Sequence, residues 1–139
     1  MIYLDTSVAL AQLLAEDRVP APGLWHEPLV SSRLIEYEIW TRLHARGLGR
    51  SHGEHARALL ARLAMVELVP PVLERALEPF PTAVRTLDAL HLASIEFLRR
   101  RGQQVALASY DDRMVAAARA LGIPVHPTSA CAASTIIAA

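Results

Sequence analysis

The chain is poor in the features that tie a protein to an oxidising compartment, a membrane or a polyanion. It holds one cysteine, Cys131, and no lysine. One cysteine forbids an internal disulfide and agrees with a reducing environment. No apolar run approaches the roughly 18 residues that a membrane-spanning helix needs. Met1 to Asp5 lack the positive segment and long apolar stretch of a secretory leader, so the expected location is the cytoplasm, with no membrane partner. Net charge is also missing: 14 basic residues (Lys and Arg together) meet 14 acidic ones. Nucleic-acid-binding domains often carry a basic excess, and the total gives no such signal here. Apart from histidine, every basic residue is arginine, whose planar fork binds two phosphate oxygens at once. Genome base composition accounts for that usage equally well. What is present is apolar: 53% of 139 residues are hydrophobic, enough for one core and too many for a disordered chain.

Short apolar strands alternate with helical stretches. Ile2-Tyr3-Leu4 reads as a first strand, followed by a helix from Val8 to Ala15 and a proline-rich loop. Leu29-Val30-Ser31 reads as a second strand. Ser32 can cap a helix to about Arg46, which Gly47 and Gly49 terminate. Ser51 opens another helix to about Ala64. Met65 to Val69 is a third strand closed by Pro70-Pro71, with a short helix from Val72 to Leu77. Thr86 to Arg101 is a long helix stopped by Gly102. Gln104 to Ala108 is a fourth strand, Asp112 to Leu121 a last helix, and Ile123 to His126 an edge strand where proline is tolerated. Such alternation implies a parallel sheet with helices on its faces. These sheets bind ligands at the carboxyl ends of their strands, where the strand order switches.

Four acids fall at the ends of these elements. Asp5 directly follows the first strand, and Asp111 follows the fourth by a short turn. Asp88 begins the long helix. Glu38, with Glu36 close by, lies early in the helix after the second strand. Clustered carboxylates repel one another, and a divalent cation reverses that penalty. Oxygen ligands and negative charge suit Mg²⁺ or Mn²⁺, and such an ion activates water and stabilises charge on a phosphoryl oxygen. Asp5 could instead cap a helix, but Thr6 and Ser7 can do that equally well. Asp88 shares a face with His91, Leu92 and Ile95, and an acid on an apolar face wants a partner. Ser109 and Asp112 have the spacing of a capping box, which gives Asp112 a structural role and leaves Asp111 free for the site. Glu36 and Glu38 point about 200° apart on a helix, so only one can face the sheet edge, and periodicity does not say which.

Other residues carry weaker signals. His52 and His55 suggest half of a metal site with no third ligand near. His91, one turn from Asp88, can reach the site or serve in helix packing. Arg99-Arg100-Arg101 suits a helix C-terminus. Arg42, Arg46 and Arg50 can form a phosphate-binding edge, although Arg42 also has the spacing to pair with Glu38. Trp25, Tyr37 and Trp40 are candidates for an interface or for ordinary core packing.

These motifs resemble a known family. Leu4-Asp5-Thr6-Ser7 after an opening strand resembles the first motif of PIN domains. Thr86 to Ala93 (Thr-Leu-Asp-Ala-Leu-His-Leu-Ala) is very similar to the central motif of VapC-type PIN domains. Ser109 to Met114 resembles the third, with serine two residues before the acid. Ser31-Ser32 followed by an acid in the next helix resembles the second. The match spans about residues 1–128, and Arg85 to Ala93 is its most specific piece.

The resemblance implies a three-layer α/β/α fold with a central, mainly parallel sheet of about five strands, over a domain at 1–128 with a tail at 129–139. It implies a Mg²⁺- or Mn²⁺-dependent endoribonuclease that leaves a 5′-phosphate and a 3′-hydroxyl. Asp5, Asp88 and Asp111 would hold the metal. Family spacing favours Glu38 over Glu36 to complete the pocket. Ser7 and Ser109 would bind carboxylates or waters. Beside what the resemblance implies, Asp112 is counted with these supporting residues, and Arg42 and Arg46, from their place after Glu38, are the candidates to meet RNA. A homodimer and a VapB-type antitoxin that blocks the pocket are the implied partners. Two rivals remain. A phosphatase of the haloacid dehalogenase type would want a second aspartate where Ser7 stands. A catalytically silent PIN-like module would bind RNA or protein on the same surface.

Overall fold

Tyr3 and Leu4 are adjacent and both fully buried, which requires apolar layers on both faces of the strand that carries them. The computed structural model describes residues 1–129. Strand β1 (Ile2–Leu4) leads into helix α1 (Thr6–Leu14), and a 3-10 turn (Pro22–His26) precedes β2 (Leu29–Ser32). Then come α2 (Leu34–Ala45), α3 (Gly49–Ala61), β3 (Ala64–Val66) and α4 (Pro70–Leu77). The chain continues through α5 (Thr86–Arg100), β4 (Ala106–Ala108), α6 (Asp112–Ala120) and a 3-10 turn (Pro127–Ser129). No helix among the described residues is long and apolar enough to cross a membrane.

The four strands pair in the order β3-β2-β1-β4, all parallel. Side chains alternate across a strand, so Ile2 and Leu4 pack with α1, α2 and α3 on one face. Tyr3 packs with α5 and α6 on the other, with Val72 of α4 in the same cluster. The parallel sheet expected from the alternation of elements, and the three-layer α/β/α arrangement implied by the resemblance, are observed. Ile35, Ile39 and Leu43 recur every four residues along α2 and are fully buried, so one helical stripe anchors it to the sheet. Burial of each such side chain stabilises the fold by about 1.5–3 kcal/mol.

Several boundaries differ from the sequence reading. Among the described residues the sheet has four strands, where about five were expected. At the expected edge strand, Ile123 to His126, only a single bridge forms, between Leu107 and Val125. Pro124 has no N–H to give and contributes only its carbonyl, which accepts from Leu107 N at 2.8 Å. Helix α4 starts at Pro70, not after the proline pair, because proline suits the first turn, where the N–H is unused anyway. Strand β3 is correspondingly shorter than expected. Gly47 ends α2 with φ +67, a conformation that glycine adopts without penalty. Of the tail expected at 129–139, only Ser129 is among the described residues; Cys131 lies outside them. Ser129 Oγ accepts from Ser109 N at 2.8 Å and lies 3.3 Å from Leu107 O, so this residue is tied to β4.

The strand order fixes where a site can form. From β1 the chain moves outward through β2 and β3, then crosses to β4 on the other side of β1. The direction reverses between β1 and β4, and the crevice beyond their carboxyl ends is the topological switch point. Asp5 and the Ser109–Asp111 turn are the residues that leave those two strands.

Candidate active site

Asp5 is buried and begins α1 without capping it. Its Oδ2 accepts from Ser7 Oγ at 2.6 Å and from Ser109 Oγ at 2.8 Å. Its Oδ1 has no hydrogen-bond partner among the described residues. The two serines also hold the loop after β4. Ser7 Oγ accepts from Tyr110 N at 2.9 Å, and Ser109 Oγ accepts from Asp111 N at 3.0 Å. Asp111 caps α6: its Oδ1 accepts from Arg113 N at 2.9 Å and Met114 N at 3.3 Å. This corrects the capping box expected of Ser109 and Asp112. The helix starts one residue after Asp111, Ser109 is turned towards Asp5, and Asp112 is an exposed first-turn residue.

Asp88 lies in the first turn of α5 and is half-buried. Burial holds its carboxyl above the ordinary carboxylate value, and the charges of Asp111 and Asp5 push it further up. A hydrogen bond from the Arg85 backbone and the charge of His91 oppose them. Asp88 thus feels the charges of both other aspartates. Asp5, Asp88, Asp111 and Glu38 line one open cleft of about 1180 Å³. Arg18, Arg42, Arg46 and Arg85 stand on its walls, with Glu16, Asp17 and Tyr110. Arg42 and Arg46 are exposed; Arg42 makes no ion pair with Glu38. The guanidinium of Arg18 stacks 4.4 Å from the Tyr110 ring centre.

Glu38 and Glu36 separate as helical geometry demands. Glu38 faces the cleft, and its Oε1 is hydrogen-bonded to His91 Nε2 at 2.5 Å. Glu36 pairs with Arg33 at 2.6 Å, and Arg33 also binds Glu67 on the outer surface. His91, left open between site and packing by its sequence position, is 1% exposed and does both. Its Nδ1 lies 2.6 Å from the Tyr3 hydroxyl, which also accepts from Ser32 N at 3.1 Å. Burial depresses this imidazole, yet the Glu38 hydrogen bond and the charges of Asp5, Glu38 and Asp88 outweigh it and leave its pKa raised. Sequence reasoning missed Tyr3 entirely. An aromatic hydroxyl buried in an otherwise apolar strand was the available signal, since such a group wants a partner. The His52–His55 fragment stays apart, lining a separate groove with Trp25 and Arg62.

Among the described residues no group of three His, Cys, Asp or Glu side chains is drawn together tightly enough to hold an ion unaided. The donor chemistry nonetheless fits Mg²⁺, which keeps several waters and binds through one or two carboxylates rather than an all-protein cage. Asp5 Oδ1 is unused, Asp111 spends only one oxygen on its cap, and Asp88 is raised by burial and then by the charges of Asp111 and Asp5, which a cation would offset.

An α/β/α sheet with carboxylates converging at its switch point matches one described family. The sequence profile of the PIN domain matches residues 2–120, and the chain belongs to that family. Among relatives, it is 35% identical over 128 residues to Ribonuclease VapC46 of Mycobacterium tuberculosis, covering 89% of this chain and 95% of that protein. It is 32% identical over 129 residues to Ribonuclease VapC47 of the same species, with 88% and 93% covered. The crystal structure of Mycobacterium tuberculosis VapC20, titled a Sarcin-Ricin loop cleaving toxin, matches with a TM-score of 0.65 at 23% identity. That match covers 84% of this chain and 95% of the other, and it bears on the fold.

Proposed function

We propose that this protein is a divalent-metal-dependent endoribonuclease of the VapC type. The observation that carries this reading is the convergence of Asp5, Asp88, Asp111 and Glu38 on one cleft at the switch point, in a chain whose relatives are named ribonucleases. Asp5, Asp88 and Asp111 would hold Mg²⁺ or Mn²⁺. Bound there, the ion lowers the pKa of water and neutralises charge that develops on the phosphoryl group.

The protein's own residues supply the rest. Ser7 and Ser109 fix one oxygen of Asp5 and leave the other facing outward. Arg42, Arg46 and Arg85 present guanidinium forks to successive phosphates along the cleft wall. Glu38 keeps one oxygen on His91, and its other oxygen takes a proton from the attacking water. Oxygen adds to phosphorus as the bond to the 3′-oxygen breaks, and that oxygen takes up a proton from solvent, which leaves a 5′-phosphate and a 3′-hydroxyl. The protein works as a homodimer, and a cognate VapB-type antitoxin silences it by occupying the cleft.

Cleavage of end-labelled RNA by purified protein tests this reading, with Mg²⁺ or Mn²⁺, with EDTA, and with Asp5→Asn. Asn keeps an oxygen for the serines but lacks the charge. Cutting that needs the metal and vanishes in the folded variant is the expected result. Cutting by Asp5→Asn at the wild-type rate would overturn it. No cutting with any metal, from folded protein free of antitoxin, would favour a binding module instead.

A further inference from the structure

We infer that His91 is a positioning residue for Glu38, held in register by Tyr3, and that this buried frame ties the helix-borne Glu38 to the strand that carries Asp5. The inference rests on the ribonuclease reading for its kinetic consequence but not for its geometry. Four groups from four elements form one line. Ser32 N, at the end of β2, donates to the Tyr3 hydroxyl at 3.1 Å. Tyr3, on β1, lies 2.6 Å from His91 Nδ1 on α5. His91 Nε2 lies 2.5 Å from Glu38 Oε1 on α2. Tyr3 is fully buried and His91 nearly so, and their rings meet edge to face at 81°. The imidazole therefore has no room to swing and no contact with solvent.

The carboxylate end fixes which way the line points. A tautomer with a bare Nε2 sets a lone pair against the ionised Glu38 carboxylate, and that arrangement is repulsive. The neutral ring with its proton on Nε2 and the doubly protonated ring both donate there. The Tyr3 hydroxyl suits either, because the Ser31 and Ser94 side chains also hydrogen-bond it: it donates to Nδ1 of the neutral ring and accepts from Nδ1–H of the charged one. Against an ionised Glu38, Nε2–H therefore donates, so one oxygen of that carboxylate is pinned and the other is directed at the cleft.

This placement matters because Glu38 stands on α2, on the sheet face opposite α5, and no other side chain among the described residues bonds it. Asp5 is two residues after Tyr3 on the same strand. The Tyr3–His91 line thus sets the distance between Glu38 and Asp5 from a single strand, in the way that partners of ligand side chains orient the ligands. His91 itself is too buried to touch RNA.

Three substitutions separate positioning from mere packing. Gln at 91 can place an amide N–H near Nε2 and keep the Glu38 contact. Asn at 91 reaches only the Nδ1 position and keeps Tyr3 instead. Both lose the ring. His91→Gln should retain most of kcat, whereas His91→Asn should lose about 10–100-fold in kcat with KM for RNA unchanged. In a Glu38→Gln background, His91→Asn should cost nothing more, because it acts through Glu38. Equal rates for the Gln and Asn variants, or full additivity with Glu38→Gln, would overturn the proposal. A second readout is independent of cleavage: nitrogen-detected NMR of the metal-free protein labelled at histidine. A proton on His91 Nε2 protected from exchange in wild type, and exposed to exchange in Tyr3→Phe, is expected. A bare Nε2 would refute the frame even in a protein that cuts RNA, and a protein that cuts no RNA would still show the proton if the frame is real.

Discussion

Ser109 Oγ donates to Asp5 Oδ2 across 2.8 Å, joining residues 104 positions apart in the chain. The same oxygen takes Ser7 Oγ, so one buried carboxylate organises both turns at the switch point. Ser109→Ala removes this donor and leaves Asp111 N without its acceptor. A buried hydrogen bond to a charged group contributes about 2 kcal/mol, and loss of such support lowers activity by about 10–100-fold. Urea unfolding and initial cleavage rates should show both losses. Ser109→Ala at the wild-type rate would show that Asp5 needs no such anchoring.

Glu36 and Glu38 offer a paired test on one helix. Glu36 pairs with Arg33 on the outer surface, where both side chains are 36% exposed, and exposed pairs contribute little. Glu36→Gln should leave cleavage and thermal stability close to wild type. Glu38→Gln should lower kcat by about 100-fold, the range of a missing general base. Equal rates for the two variants, measured on the same RNA, would remove Glu38 from the chemistry.

What was legible in the sequence was what local rules decide. Asp5 follows a strand and Asp111 follows a parallel one, so their meeting at one edge needed only the alternation of elements. Asp88 at the head of a helix was readable from its apolar face. The failures at the site have a common cause: the deciding partner is distant in sequence. Spacing made Ser109 the cap of the last helix, but Ser109 is drawn to Asp5, and Asp111 takes the capping position. Spacing left His91 open between site and packing because Tyr3 and Glu38 lie 88 and 53 positions away. The family pattern, not helical periodicity, chose between Glu36 and Glu38, since both are flanked by apolar residues. The edge strand failed for a local reason, Pro124, whose effect on the number of paired residues depends on register.

Arg75 tests stability away from the cleft. It is 9% exposed on α4, binds Glu96 of α5 at 2.6 Å and lies 4.2 Å from the Phe80 ring centre. Arg75→Ala leaves Glu96, only 14% exposed, with the more distant and exposed Arg100, at 3.9 Å, as its remaining cation. Breaking a buried pair costs about 3–5 kcal/mol, whereas replacing both partners by apolar groups is often neutral. Arg75→Ala should therefore be strongly destabilised in urea, and Arg75→Met with Glu96→Leu should recover most of the loss. Cleavage per folded molecule should not change in either. A double variant as unstable as the single one would contradict this account.

Asp88 links the site to stability with a definite sign. Burial first, then the charges of Asp111 and Asp5, raise its folded pKa above the ordinary value, while the unfolded chain titrates at about 3.9. A raised acid binds its proton more tightly when folded, so its contribution is fully present below the unfolded pKa. That contribution is lost as pH rises through the folded pKa. At neutral pH without metal, the ionised Asp88 therefore opposes folding, and Asp88→Asn should melt above wild type in EDTA. Below about pH 4 the advantage should vanish, because wild type is then protonated too. Mg²⁺ should raise the wild-type Tm more than that of Asp88→Asn, since the neutral amide is a poorer ligand, and cleavage by the variant should fall by at least about 100-fold. Melting curves across pH, with EDTA and with Mg²⁺, read all of this in one experiment. If Asp88→Asn melts below wild type in EDTA at neutral pH, the three aspartates do not strain one another, and the case for a cation between them weakens.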